Sequence, residues 1–142
     1  MNALNGKSVV HGTGNARLEV GTLRGSNGPM IVFAVSLGVA AGGQSWQRVI
    51  SAYNGSGKEW EEPNWMVLRP GGAKPAAYEP QIFTIKHATG VALANVVVGG
   101  GSASKSQGLA GDIAEVLIFD RRLPEADEDA IMDYLTRKWS LK

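Results

Sequence analysis

The stretch Asp112-Ile113-Ala114-Glu115-Val116-Leu117-Ile118-Phe119-Asp120-Arg121-Arg122-Leu123-Pro124, running on into Glu125 to Leu141, decides the fold. Apart from Glu115, the positions from Ile113 to Phe119 are apolar. A nearly continuous apolar run of this length reads as a strand covered on both faces, not one open to water. Pro124 suits a first helical position, where a missing N–H is no loss. Glu125, Asp127, Glu128 and Asp129 then place negative charge at the positive end of a helix dipole, and Arg137 and Lys138 fall in its last turn. Ile131, Tyr134, Leu135 and Trp139 recur at three and four residues and form one apolar stripe. The stretch therefore predicts a strand followed by an amphipathic helix over about 124–138 that docks on a sheet.

Working back from that strand, β-rich runs alternate with Gly, Ser, Asn and Pro clusters at the spacing of sandwiches and barrels. Strands are predicted near Ser8–His11, Ala16–Val20, Met30–Leu37, Gln47–Tyr53, Trp65–Leu68, Gln81–Lys86, Ala92–Val98 and Asp112–Phe119. Ile31-Val32-Phe33-Ala34-Val35 is the second run with the composition of a doubly covered strand. Three stretches read as loops. These are Gly38–Ser45, Asn54–Asn64 with its Gly-Ser-Gly turn and acidic Glu59-Trp60-Glu61-Glu62-Pro63, and Gly99–Gly108. The fold class expected is all-β, a jelly-roll-type antiparallel β-sandwich with one C-terminal α-helix.

Composition removes several functions. The 142 residues carry 14 basic and 13 acidic side chains, net charge +1. With no basic block, the electrostatic footprint of a nucleic-acid binder is missing. An apolar fraction of 44% against 19% charged residues does not describe a disordered tail. There is no cysteine, which excludes disulfides, thiolate metal sites and a cysteine nucleophile. No apolar stretch approaches the roughly 18 residues of a membrane span, so no membrane insertion is expected. Met1-Asn2-Ala3-Leu4-Asn5-Gly6-Lys7 lacks the charged, apolar, small-residue order of a secretory leader. Cytoplasmic synthesis is the expectation, with a virion surface or other exported assembly as the place of work.

Gly108-Leu109-Ala110-Gly111-Asp112-Ile113-Ala114-Glu115-Val116-Leu117-Ile118-Phe119, with the helix that closes on Tyr134-Leu135 and Lys138-Trp139-Ser140-Leu141, resembles the laminin-G-like branch of the concanavalin-A-like lectin/glucanase superfamily. Members of that branch often end in a Gly-x-Ile-x-Glu-Val strand, a short turn and a helix with such a terminus. Leu4-Asn5-Gly6-Lys7-Ser8-Val9-Val10 and Leu18-Glu19-Val20 look like its opening strands, and Pro29 to Val35 is similar to its second conserved strand. The resemblance implies that residues 1–142 form a single domain of this kind. Gly71–Gly101 matches neither of the family's central strands, and this implies an abridged sandwich.

Five groups of residues are candidates for chemistry. Strand alternation puts Glu115 on the face of Ile113, Leu117 and Phe119, a carboxylate among apolar neighbours. Such a group needs partners or a raised pKa. A structural role is favoured over a functional acid, with Glu115 holding backbone N–H groups or an Arg where strand meets helix, and Tyr134 and Trp139 as companion structural residues. Glu59-Trp60-Glu61-Glu62 is the nearest match to the alternating acids of the glucanase branch. Pro63 and the Gly-Ser-Gly flank are poor strand formers, so a solvated acidic loop is the ordinary reading and no enzyme is expected. His11 and His87 have no carboxylate at ligand spacing and read as surface strand residues, while Gly12-Thr13-Gly14-Asn15 reads as a turn. Trp46 and Trp65, beside strands, read as core, whereas Trp60, between acids, is the best exposed aromatic.

Two binding readings follow. Trp60, with Glu59, Glu61, Glu62 and Asn64, forms a recognition loop that stacks on a sugar or anchors a protein partner. The resemblance also implies calcium as a conceivable ligand, for which Asn54, Glu59 and Glu61 supply oxygen donors, although no Asp-rich ligand string is present. No other cofactor is expected. The function expected is a non-catalytic recognition or structural module of an assembly, such as a virion surface or decoration protein. Its partners would be proteins, a second copy of the chain among them. A lectin-like carbohydrate-binding module is the alternative, and a glycan-degrading enzyme comes third.

Overall fold

The computed structural model describes residues 3–14, 17–37, 48–53, 65–68, 80–93, 95–100 and 108–141, with the side chains of 3, 24–28, 37, 53, 65–68 and 87–93 outside the description. Among the described residues ten strands precede one helix. They are β1 (Ala3–Leu4), β2 (Lys7–Ser8), β3 (Val10–Thr13), β4 (Leu18–Gly21), β5 (Arg24–Leu37), β6 (Ile50–Tyr53), β7 (Trp65–Leu68), β8 (Pro80–Leu93), β9 (Val96–Val98) and β10 (Ala110–Phe119), followed by α1 (Glu125–Trp139). β1 and β2 form a hairpin, and the other strands form two four-stranded antiparallel sheets in the orders β3-β10-β5-β8 and β4-β9-β6-β7.

The reason for this layering is visible in β5. Its alternate residues Met30, Val32 and Ala34 join Ile50 and Ala52 of β6, Val96 of β9 and Ile113 of β10 in a core between the two sheets. The intervening Ile31, Phe33 and Val35 pack on Leu135 and Trp139 of α1. A strand that must be apolar on both faces can only be a middle layer, here between a helix and a second sheet. Among the described residues Arg48 is the one fully enclosed charged side chain.

The helix begins one residue later than expected. Pro124 stands just before it in an extended conformation, and its carbonyl accepts from the N–H groups of Asp127 and Glu128 at 3.0 and 3.1 Å. The other end is closed by Ser140 in the left-handed region, with Leu141 N–H donating to the Thr136 carbonyl at 2.9 Å. The Asn5 side-chain amide donates to the Trp139 carbonyl, so the N-terminal hairpin occupies a helix-end acceptor. That hairpin turns on Asn5 and Gly6, both at positive φ, as the tight Asn-Gly connection requires.

Three expectations about elements need correcting. Gly12 and Thr13 are strand, not turn, since they pair with Gly111 and Ala110 of β10. Glycine is required there because a Cβ on Gly12 would lie 2.2 Å from the Leu109 carbonyl oxygen. The single strand expected over Ala92–Val98 is two strands in different sheets, divided at Asn95, whose φ of 48° reverses the chain. The strands expected over Met30–Leu37 and Gln81–Lys86 are both longer, because β5 and β8 pair regularly from Leu37↔Pro80 to Met30↔His87 and, past two irregularities, again at Gly28↔Val91 and Arg24↔Leu93.

Candidate functional site

β10 is where the polar chemistry gathers, and one irregularity sets its arrangement. The pairing of β10 with β5 shifts between Ile113 and Glu115, the mark of a β-bulge. Ile113 lies in the core between the sheets, as do Val116 and Ile118, whereas Leu117 and Phe119 pack on the helix side. The bulge therefore moves Glu115 off the face of Ile113, contrary to strict alternation, and turns it toward α1.

On that side Glu115 meets three side chains of the helix. The Trp139 indole N–H donates to Oε2 at 2.7 Å, and the Lys138 ammonium and Tyr134 hydroxyl donate to Oε1 at 3.0 and 3.2 Å. Lys138 also donates to the Tyr134 hydroxyl at 2.7 Å and stands 5.1 Å from the centre of the Tyr134 ring. Partial burial pushes the Glu115 carboxyl up. The Trp139, Lys138 and Tyr134 contacts together outweigh that and hold it below the usual carboxylate range. The Tyr134 hydroxyl and the Glu115 carboxylate raise the Lys138 ammonium above its ordinary value. A carboxylate held charged, with the Glu115 side chain only 14% exposed, is poorly placed to act as a proton donor. The partners are helix side chains, not the backbone N–H groups or Arg expected. Tyr134 itself is 43% exposed and so is not part of the buried stripe; its ring stays in water while its hydroxyl serves the cluster.

A second pair lies at the far end of the same strand. Asp112 is the register partner of His11 across β10 and β3, and Nδ1 of the ring stands 2.6 Å from Oδ1 of the carboxylate. With its proton on Nδ1 the ring donates to Asp112, and Nε2 becomes the basic nitrogen. Ser36 comes to the same residue, but its hydroxyl donates to the Asp112 main-chain carbonyl at 2.9 Å and not to the imidazole. The three residue types of an acyl-transfer triad are thus neighbours without its connectivity. The separation of 101 positions between His11 and Asp112 conceals this pair from any reading of local spacing.

The third feature is a margin of the molecule. Among the described residues β3 and β4 are edge strands, and β7 and β8 lie together at the opposite margin. Val10 of β3 pairs with Ile113, and Leu18 of β4 pairs with Val98, so both side chains lie on the faces that form the core between the sheets. Each is nevertheless 55% exposed, and Val20 and Leu23, which follow Leu18 in the chain, are exposed as well. The apolar interior reaches solvent here.

Trp60, Glu59, Glu61, Glu62, Asn64 and Asn54 lie outside the described residues, as does Trp46; Trp65 opens β7, with its side chain likewise outside. His87 is in β8, paired in backbone register with Met30. Among the described residues no group of three or more His, Cys, Asp or Glu could hold a metal ion. No helix among them is long and apolar enough to cross a membrane. Comparison with family models, with curated proteins and with solved structures finds no match to the chain.

Proposed function

We propose that the protein is a non-catalytic recognition or structural module that makes protein–protein contacts within a larger assembly. A jelly-roll-type, laminin-G-like sandwich is the finer architecture we assign to it. The observation that carries this reading is the β3/β4 margin. Of the six large apolar side chains left exposed among the described residues, Val10, Leu18, Val20 and Leu23 belong to these edge strands or follow directly on them. Clustered exposure of this kind marks an interaction site more often than scattered surface leucines do. The engagement of Glu115 with the helix supports the same reading, because it commits one of the two acids of β10 to holding the fold. By analogy with the jelly-roll proteins of virion surfaces, a surface or decoration role is the setting we favour.

Two binding assays on the pure protein test the reading, a glycan array and capture of partner proteins from an extract of the source. Each is run with the parent, with Trp60→Ala and with a Leu18→Lys, Val20→Lys variant. An empty array, with protein capture lost in the double lysine variant, is the expected result. Glycan signals abolished by Trp60→Ala would overturn it in favour of the lectin-like alternative.

A further inference from the structure

Resting on the reading of the β3/β4 margin as a protein-contact surface, we infer that its partner is a second copy of this chain, joined by antiparallel pairing of β4 with β4 about a two-fold axis through Leu18. Among the described residues β4 has one strand neighbour, β9, so its other edge is open to pairing. The sequence across that edge is Arg17-Leu18-Glu19. Antiparallel pairing centred on Leu18 sets Leu18 against Leu18 and Arg17 of each copy against Glu19 of the other. The segment Arg17–Glu19, which leads into β4, is self-complementary in charge as well as in apolar content, which is what a two-fold interface requires of a single patch.

The register is bounded on its far side. The pairing of β4 with β9 shifts between Glu19 and Gly21, where Gly21 takes a φ of 89°. That bulge ends the regular stretch, so the pairing cannot slide toward Leu23 without losing its hydrogen bonds. Within each copy Arg17 already bonds Glu19, with Nη2 and Nε at 2.7 and 3.1 Å from Oε1. Both groups therefore stand on one face of the strand, where the second copy's opposite charges arrive. The other edges are less suited. β3 reads Val10-His11-Gly12-Thr13, with no complementary charges to set against itself, and His11 is engaged with Asp112. On β8, Lys86 pairs with Glu128 of the helix.

A short strand pair alone is small beside the roughly 1,200–2,000 Å² of a standard interface, so Val10, Val20 and Leu23 must contribute and the dimer is concentration-dependent. The test is sedimentation equilibrium of the full chain over a range of concentrations. The parent is expected to approach twice its 15.0 kDa mass. Arg17→Glu and Glu19→Arg, each alone, set like charges against each other in both cross-strand pairs and should weaken the dimer on the order of tenfold or more. An equimolar mixture of the two variants restores Arg opposite Glu in both pairs and should dimerise again. A parent that stays monomeric overturns the inference, as do single variants that dimerise unchanged or a mixture that stays monomeric with both chains folded. If either charge variant fails to fold, Leu18→Lys replaces it, at a position already more than half exposed, and a persisting dimer is then the overturning result. A monomeric parent that still captures a different protein, with capture lost in the double lysine variant, rejects only the second copy. Loss of both results rejects the contact surface itself.

Discussion

Trp139 Nε1 donates to Glu115 Oε2 across 2.7 Å and joins the last turn of the helix to the middle of β10. The same tryptophan is 3% exposed and lies with Leu135 against Ile31, Phe33 and Val35, so one residue supplies both the apolar and the polar half of the docking. Tyr134 and Lys138, on the water side, close over the remaining carboxylate oxygen.

Glu115→Ala removes the acceptor of three donors, and the buried Trp139 N–H among them is left without it. A loss of about 1–3 kcal/mol in urea denaturation is expected. Glu115→Gln keeps an acceptor for the indole and should cost less. Trp139→Phe and Glu115→Gln combined should cost less than the sum of the two singles, since the shared bond can be lost only once. Two Glu115 variants that unfold at the parent's midpoint would show that the cluster contributes nothing.

The same contact sets a pH dependence. Because the folded-state value of Glu115 lies below the ordinary one, its ionised form is favoured by folding. The stabilisation is complete above the ordinary value of 4.5 and is lost as pH falls through the lower folded value. Stability of the parent should therefore fall more steeply below about pH 4.5 than that of Glu115→Gln. Parallel acid limbs for the two proteins would contradict this.

Deleting the chain after Leu123 should abolish cooperative unfolding. Leu135 and Trp139 are buried and Ile131 is partly so, each worth about 1.5–3 kcal/mol when fully removed from water. Their loss also exposes the outer face of Ile31, Phe33 and Val35. Calorimetry decides the point, and a truncated chain with the parent's transition temperature would show the helix to be dispensable.

Gly12→Ala should destabilise by several times the usual effect of adding a methyl group in a strand. The obstacle at 2.2 Å is the Leu109 carbonyl, which is backbone and cannot rotate aside. Gly6→Ala meets no neighbour within 4 Å, and its cost comes from a φ of 76° alone. About 1–2 kcal/mol is expected at Gly6 for the left-handed conformation, and more at Gly12. Equal midpoints in denaturant for the two variants would show that β3 shifts to make room.

Much of the secondary structure was legible because its signals are local. The doubly apolar runs at Ile31–Val35 and Ile113–Phe119 are middle-layer strands, and the acidic start and apolar stripe of 125–139 make the helix. The Asn5-Gly6 dipeptide is a further local signal, since it marks the N-terminal hairpin turn in the sequence itself. The candidate recognition loop rested on the clustering of Trp60 with Glu59, Glu61 and Glu62, a compositional signal that carries no geometry.

What the sequence by itself determined is the set of apolar periodicities. They require a sheet apolar on both faces and a helix to cover one of them. What only the tertiary structure decided are relations between distant strands. The bulge that aims Glu115 at Trp139 exists only in the pairing of β10 with β5. The His11–Asp112 pair exists only because β3 lies beside β10, and the exposure of Val10 and Leu18 exists only because β3 and β4 fall at the edges of their sheets. Periodicity is a property of a few consecutive residues. Register and edge position are set by which strands meet, and that depends on the burial of the whole chain.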